Sequence, residues 1–186
     1  MVVCRLISLD DARALAELLR VNRAFLAPWE PLRSEEYFTE DGQRAVIAAL
    51  LAEHELGRCL PYVITGNGPA VLGRITLNGI VRGAFLSCSV GYWVSQAAGG
   101  RGIATAALAQ VKRVAFDELG LHRIQAETLL DNLASQRVLE HNGFARIGLA
   151  PAYLKIAGRW QDMVIFQVVD DGTRHRSAAA PAVSRD

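Results

Sequence analysis

The segment GYWVSQAAGGRGIATAAL, residues 91–108, places three glycines within four positions, between an apolar run and a helical pattern. A strand that enters a helix through such a loop exposes the unpaired N–H groups of the helix's first turn, and glycine lets an anion approach the main chain. A tight turn without a ligand explains the loop equally well when the loop is taken alone. The expected donors to a bound phosphate are the backbone amides of Gly100, Gly102, Ile103, Ala104 and Thr105.

Other phosphate-binding motifs do not match this loop. The chain has no G-x-x-x-x-G-K-[ST] segment, which argues against a Walker-type NTPase. The run GRGIAT, residues 100–105, ends in threonine where a dinucleotide-binding fingerprint requires a third glycine. We therefore expect neither a P-loop NTPase nor a Rossmann dehydrogenase.

The composition limits the classes of function. The chain has 186 residues, of which 51% are hydrophobic, and this fits one domain with a sizeable core. Its formal net charge is +1, so bulk electrostatics predict no nucleic-acid partner. Because the sequence shows no export signal and no apolar run near the ~18 residues that span a bilayer, we expect a cytoplasmic protein without a membrane partner.

The cysteines and histidines predict no metal site. Cys4, Cys59 and Cys88 are widely spaced in apolar surroundings, as expected of small buried residues in a reducing compartment. The four histidines form no ligand spacing with these cysteines. We therefore expect catalysis without a metal ion.

Helical and strand patterns alternate along the chain and predict an α/β (α+β) fold. The predicted strands cover residues 2–8, 60–65, 70–77, 84–94, 122–129, 145–149 and 162–169. One predicted helix begins at Asp10. Three others cover residues 34–56, 101–119 and 132–142, and the first of these three has a break near Gly42.

Turns and composition complete this outline. Turn signals at residues 66–69 and at Asn78-Gly79 predict that the second to fourth strands form an antiparallel meander. Residues 22–33 contain two prolines and are not expected to form a regular helix. We expect residues 1–170 to form one domain and residues 171–186, which are small, polar and aperiodic, to form a disordered tail.

A second group of polar residues follows the strand predicted over residues 122–129. Asn132 stands where the chain leaves this strand, and Ser135 lies one turn into the next helix. The Asn132 side chain offers donors and an acceptor, which suits a ligand that carries amides, and Ser135 adds a hydroxyl. Capping of the helix by Asn132 is the simpler alternative.

Together these segments resemble the GCN5-related N-acetyltransferase (GNAT) superfamily over about residues 2–169. The acetyl-CoA loop of that family, R/Q-x-x-G-x-G/A, is matched by residues 99–104, except that Gly99 replaces the arginine or glutamine. The family's N-x-x-[AS] and [LVI]-x-x-x-G-F patterns are matched by Asn132, Ser135, Leu139, Gly143 and Phe144. The ribosomal-protein alanine N-acetyltransferase branch is resembled by the phrases NRAFLAPWEP, LPYVI, GYWV, NLASQRVLEHNGF and YLKIAGRWQDMVIF.

The resemblance implies a mixed, mostly antiparallel sheet of six to seven strands with one splayed strand pair, flanked by about four helices. It also implies acetyl-CoA as cosubstrate, with direct attack of an amine on the thioester and a strand N–H near Val94 stabilising the oxyanion. Arg101 would replace the cation that Gly99 lacks. The residues implied to hold the cofactor are Trp93, Val94, Ser95, Gly100, Arg101, Gly102, Ile103, Ala104, Thr105, Asn132 and Ser135.

The groups that transfer protons are less determined. Many relatives carry a tyrosine acid where this chain has Leu139, so Ser135 is the expected substitute, as in the ribosomal branch. Some members carry a glutamate where this chain has Ala152, so the base is not inherited by motif. An α-amine, with a pKa of about 7.7 to 8.0, is partly neutral already, and a water chain would suffice. The candidate bases are Glu30, Glu127 and Asp162, each of which also fits an ordinary solvated or helix-end carboxylate.

The resemblance to the ribosomal branch favours the N-terminal α-amine of a protein as the acceptor. A small-molecule amine, such as an antibiotic, polyamine or amino acid, is the alternative acceptor. A non-catalytic CoA-binding module also fits, because Gly99, Leu139 and Ala152 depart from the family pattern. The side chains expected to border the acceptor cleft are Trp29, which lies between two prolines, Tyr153 and Trp160. A homodimer is compatible with all of these interpretations.

Overall fold

The computed structural model describes residues 1–170 and residue 172, so the predicted disordered tail lies, apart from Gly172, outside the described residues. A seven-stranded sheet forms the centre, in the order β1-β2-β3-β4-β5-β7-β6. The strands are β1 Val3–Leu6, β2 Leu60–Thr65, β3 Val71–Val81, β4 Ser87–Val94, β5 Arg123–Leu129, β6 Ala145–Ile156 and β7 Arg159–Val169. All neighbours pair antiparallel except β4 and β5, which are parallel. This confirms the predicted mixed, mostly antiparallel sheet.

Five α-helices accompany the sheet in the described part of the chain. They are α1 Ala12–Val21, α2 Arg23–Leu26, α3 Glu40–Glu55, α4 Ile103–Arg113 and α5 Leu133–His141. The single turn of α2 lies in the segment that was not expected to be helical, and it ends before the prolines at positions 28 and 31. None of the helices that the structure describes is both long and apolar enough to cross a membrane.

The sheet separates two apolar cores. On one face, Leu108 and Val111 of α4 pack with Ile124 of β5. On the other face, Leu15 of α1 and Ile47 of α3 pack with β2. Because side chains alternate along a strand, β4 contributes to both cores, and consecutive β4 residues face opposite sides of the sheet.

The parallel strands β4 and β5 pair along only a short part of their length. Ser87, Cys88 and Ser89 of β4 pair with the first three residues of β5, and the pairing ends there. Beyond Ser89 the two strands separate, so backbone groups on this edge of β4 face a gap and need other partners. This is the predicted splayed strand pair, and its open side lies at the carboxyl ends of both strands.

Two glycines have roles other than those predicted. Asn78-Gly79 is not a turn, because β3 continues to Val81 through an irregular register, with Gly79 at φ +57°. The break predicted near Gly42 lies at Thr39, between a 3-10 turn at Glu35–Phe38 and α3, which begins at Glu40 and runs through Gly42. A Cβ at Gly42 would lie 1.9 Å from the carbonyl oxygen of Glu36, so glycine permits a close approach of the preceding turn.

The ends of three other elements also differ from the prediction. The helix predicted to start at Arg101 starts at Ile103, because Gly102 takes a left-handed conformation, and it continues after Arg113 as a π-helical turn. The last two strands are longer than predicted and form a hairpin over residues 145–169. Residues 151–153 bulge out of β6. This break in the register interrupts the alternation of side chains, so the sequence pattern does not indicate that the strand continues.

Candidate active site

A cavity of about 310 Å³ opens where β4 and β5 separate, and we call it the central cleft. Gly91, Tyr92 and Trp93 line it from β4, and Glu127 and Thr128 line it from β5. The connection after α2 and the β6–β7 hairpin close the remaining sides. The cleft therefore lies at the position that the resemblance implies for the reacting groups.

A second cavity of about 280 Å³, the cradle, lies at the N-terminus of α4. The N–H of Ala106 donates to the carbonyl oxygen of Gly102 at 2.9 Å, so helix geometry leaves the three preceding N–H groups without a partner inside α4. Gly100 and Gly102 have φ values of +69° and +71°, and a Cβ at either would meet nothing within 4 Å. This combination of free donors, positive helix dipole and open space fits a pyrophosphate.

The backbone of β4 connects the cradle with the central cleft. Val94 lines the cradle and Trp93 lines the central cleft, so the two cavities meet at adjacent residues. Ser95 is buried, lies in the lining of neither cavity, and its N–H donates to Leu72 of the β3 side at 2.8 Å. Because consecutive N–H groups point to opposite edges of a strand, the N–H of Val94 faces the gap.

A cation that was not expected from the sequence lies beside the cradle. Arg137 of α5 lines the cradle, whereas Arg101 does not. Arg137 was missed because its approach to the loop depends on how α5 packs beside α4. The sequence feature that could have identified Arg137 is its position two residues after Ser135 of the N-x-x-[AS] motif.

Asn132 and Ser135 line the central cleft. The side-chain oxygen of Asn132 accepts the N–H of Ser135 at 3.1 Å and caps α5, which leaves the amide nitrogen to donate elsewhere. Ser135 Oγ lies 2.9 Å from the hydroxyl of Tyr92, which also donates to the carbonyl oxygen of Ser135 at 3.2 Å. Tyr92 was not recognised in the sequence, and it forms a hydroxyl pair with Ser135.

Burial raises the pKa of Tyr92 to about 12, although its hydrogen bond with Ser135 acts in the opposite direction. Tyr92 is therefore protonated at neutral pH and remains a hydrogen-bond donor. Because the Tyr92 hydroxyl donates to the Ser135 carbonyl oxygen, Ser135 Oγ is the hydroxyl of the pair that can donate to a group in the cleft.

The structure brings two of the three candidate carboxylates to the central cleft. Burial raises the pKa of Glu30, while the charges of Arg33 and Arg74 lower it. Burial also raises the pKa of Glu127, and a hydrogen bond from its own backbone partly offsets this. The environment of Glu127 therefore favours the protonated carboxyl, and no neighbouring cation in the part of the chain that the structure describes opposes this effect, in contrast to Glu30.

The third carboxylate, Asp162, is exposed and does not line the central cleft. Its Oδ1 accepts the N–H of Ala152 at 2.8 Å, and Ala152 sits at φ +46° in the β6 bulge. A non-glycine residue in this conformation costs about 1–2 kcal/mol, so the hydrogen bond helps to fix the bulge. Asp162 thus acts in this structure as an anchor for the bulge.

The sequence model described as Acetyltransferase (GNAT) domain matches residues 2–145 of this chain. The chain belongs to the GNAT acetyltransferase family. Acetyl-CoA is its cosubstrate, and the prediction of an acetyl-CoA-dependent N-acetyltransferase is confirmed at this level. No group of three or more metal-binding side chains occurs within residues 1–170 and 172, the part that the structure describes.

Individual GNAT relatives are similar along almost the whole chain. The probable N-acetyltransferase YjcK of Bacillus subtilis (strain 168) is 33% identical over 170 residues, which covers 91% of this chain and 94% of that protein. The [ribosomal protein uS5]-alanine N-acetyltransferase of Escherichia coli (strain K12) is 32% identical over 165 residues, which covers 88% of this chain and 85% of that protein. The structure of Mycobacterium smegmatis RimJ in complex with CoA-disulfide superposes with a TM-score of 0.89 at 33% identity, covering 92% of this chain and 83% of that one.

Two walls of the central cleft in this GNAT chain are joined by a hydrogen bond. Trp29 lines the central cleft, whereas Tyr153 lines a neighbouring cavity and Trp160 is exposed. The N–H of Ala157 in the β6–β7 turn donates to the carbonyl oxygen of Glu30 at 2.9 Å. The connection after α2 and the hairpin therefore form one continuous wall.

The anchoring role of Asp162 gives a testable contrast with a role as base. We expect Asp162→Ala to lower the free energy of unfolding by about 1 kcal/mol, because the Ala152 N–H loses its acceptor. Asp162→Asn keeps a side-chain oxygen and should retain turnover within about threefold, although an amide cannot act as a base. Urea denaturation and steady-state assays measure both effects. A loss of turnover near 100-fold in Asp162→Asn would contradict the anchoring role.

Proposed function

We propose that this GNAT enzyme acetylates the N-terminal α-amine of a protein, with an alanine-initiated ribosomal protein as the first candidate. The observation that carries the proposal is the continuous path along β4, where Val94 in the cradle adjoins Trp93 in an open central cleft. The 32% identity to the E. coli enzyme named for alanine of uS5 supports this choice of acceptor.

The proposal assigns the cofactor to the cradle and to the free edge of β4. The amides of residues 100–105 and the Arg137 guanidinium would hold the pyrophosphate. The N–H of Val94 would bind the thioester oxygen, and the amide nitrogen of Asn132 would bind the pantetheine arm. Acetyl-CoA supplies the activated acetyl group, and the chain supplies its orientation.

Proton transfer is assigned to groups that the cleft brings together. Glu127 is proposed as the base for the acceptor amine, because a carboxylate with a raised pKa accepts a proton more readily near neutral pH. Ser135, supported by Tyr92, is proposed to protonate the leaving thiolate. Leu139 is fully buried in the apolar core, so the position of the tyrosine acid in many relatives serves packing here. Glu30, close to two arginines, is assigned to acceptor binding.

The hydroxyl pair can be tested by single and double substitution. We expect Ser135→Ala to lower kcat about 100-fold and to change the Kd of acetyl-CoA by less than about threefold, because the thiolate loses its proton donor. Adding Tyr92→Phe to Ser135→Ala should lower kcat little further, since the two hydroxyls act as one unit. Stopped-flow assays and calorimetric titration separate the two quantities. Equal losses in kcat and in affinity would make Ser135 a binding residue instead.

The proposed acceptor can be tested by a mass-spectrometric screen. Peptides that begin with Ala, Ser or Met are compared with free lysine and aminoglycosides, each in the presence of acetyl-CoA. Acetylation of the alanine peptide at its α-amine supports the proposal, whereas acetylation of the small amines alone supports the alternative acceptor. Thermal stabilisation by acetyl-CoA without release of thiol from any acceptor would support a non-catalytic CoA-binding module.

We also propose that the acetyltransferase domain extends to residue 170, because β6 and β7 complete the sheet beyond the end of the family match at residue 145. The cytoplasmic location and the homodimer stay predictions. Size-exclusion chromatography with light scattering tests the oligomeric state.

A further inference from the structure

A cavity of about 350 Å³ lies next to the central cleft, against the paired ends of β4 and β5, and we call it the side groove. It shares Asn78, Glu127 and Leu154 with the central cleft. The side groove therefore opens directly from the position proposed for the base.

The floor of the side groove is polar. Ser89 and Gln125 are direct partners across the β4–β5 pairing, so both side chains lie on the same face of the sheet. Ser87 also lines the groove, and its Oγ is buried without a hydrogen-bond partner among the described residues. A buried hydroxyl without a partner is unusual in a folded protein, and a polar group or water molecule that enters the groove can supply the missing partner. The amide and the two hydroxyls each offer both a donor and an acceptor.

We infer that the side groove binds the second and third residues of the acceptor polypeptide. This inference rests on the proposed function, which places the acceptor amine at Glu127. A peptide backbone presents donors and acceptors in alternation, and the side chains of Gln125 and Ser89 can pair with both kinds of group. A chain whose first residue lies in the central cleft reaches the groove within one or two residues, at about 3.3 Å per residue.

The charges of the groove restrict the acceptor sequence. Among the described residues that line it, Glu127 is the one charged side chain, and no lysine, arginine or histidine is present. An acidic side chain at the second or third position of the acceptor would lie near this carboxylate, and the cation on the same face of the sheet, Arg123 opposite Ser87, does not line the groove. The groove therefore accepts neutral or basic residues and disfavours aspartate and glutamate there.

The test uses the full-length enzyme and three acceptors: alaninamide, the hexapeptide Ala-Ser-Lys-Ser-Gly-Ser and the hexapeptide Ala-Glu-Glu-Ser-Gly-Ser. We expect the KM of the first hexapeptide to be about tenfold below that of alaninamide and about tenfold below that of the acidic hexapeptide. Gln125→Leu should raise the KM of the first hexapeptide about tenfold, with no change in the KM of alaninamide or the Kd of acetyl-CoA. Gln167→Leu is the matched control, because Gln167 lies opposite Gln125 on β7 but does not line the groove.

Equal KM values for alaninamide and the first hexapeptide in the unsubstituted enzyme would overturn the inference, without any variant that must fold. Equal effects of Gln125→Leu on both acceptors would also overturn it. Failure of the proposed function looks different, because the enzyme would then bind acetyl-CoA and acetylate the α-amine of none of the three.

Discussion

Replacing Gly102 by valine is expected to reduce the affinity for acetyl-CoA by about 100-fold or more. Gly102 caps α4 in a left-handed conformation and lines the cradle. A branched side chain both strains this backbone and occupies the space through which a phosphate approaches the N–H groups. Charge-assisted hydrogen bonds contribute about 1.5–3 kcal/mol each, so the loss of two corresponds to about 10² to 10⁴ in Kd.

Gly120→Val separates occlusion of the cradle from backbone strain. Gly120 has a similar φ of +61°, and a Cβ there would also meet nothing within 4 Å, but the residue lies away from the cradle. Both variants should lose stability by a similar amount in urea denaturation. Only Gly102→Val should lose acetyl-CoA binding in calorimetric titration. Retained affinity in Gly102→Val, with both variants folded, would show that the cradle does not hold the pyrophosphate.

The cradle was predictable because its determinants are local. Gly100 and Gly102 permit the positive φ values, and the start of α4 leaves its first N–H groups free, so a short stretch of sequence carries the whole feature. The splayed strand pair was predicted from the resemblance to the GNAT superfamily, because no local pattern in β4 or β5 indicates where their pairing ends. The same reasoning failed at Gly79 and placed the break at Thr39 too late, near Gly42, because a glycine that permits close packing or a bulge resembles one that ends an element.

The chemistry inside the central cleft depends on long-range packing. Tyr92 and Ser135 are 43 residues apart, and their contact requires α5 to lie across the open side of β4. Asp162 and Glu127 both looked like plausible bases in the sequence. The bulge at Ala152 gives Asp162 a structural partner, whereas alternation along β5 directs Glu127 away from the core residues Ile124 and Ala126. Sequence patterns alone do not distinguish these two environments.

Glu127→Gln is expected to lower kcat for an α-amine acceptor by about 100-fold while making the folded protein more stable at neutral pH. The first effect follows from loss of the base. The second follows from linkage: burial raises the pKa of Glu127 in the folded state, so the folded protein binds this proton more tightly than the unfolded chain does. The native carboxyl therefore favours folding below its ordinary pKa, and this advantage disappears as the pH rises through the raised pKa. Glutamine stays neutral and avoids that loss.

Two measurements test this opposition between activity and stability. Urea denaturation should show a higher free energy of unfolding for Glu127→Gln than for the native protein at pH 7, and similar values near pH 4. The pH profile of kcat should lose the acidic limb that protonation of Glu127 imposes. Glu30→Gln is the matched variant, because Glu30 also lines the cleft but faces Arg33 and Arg74; its kcat should fall less than about tenfold. A variant of Glu127 that is less stable at pH 7, or that keeps the native kcat, would refute the assignment. A carboxylate that lowers stability where it is ionised does not serve the fold at that pH, and this opposition distinguishes a base from a structural acid such as Asp162.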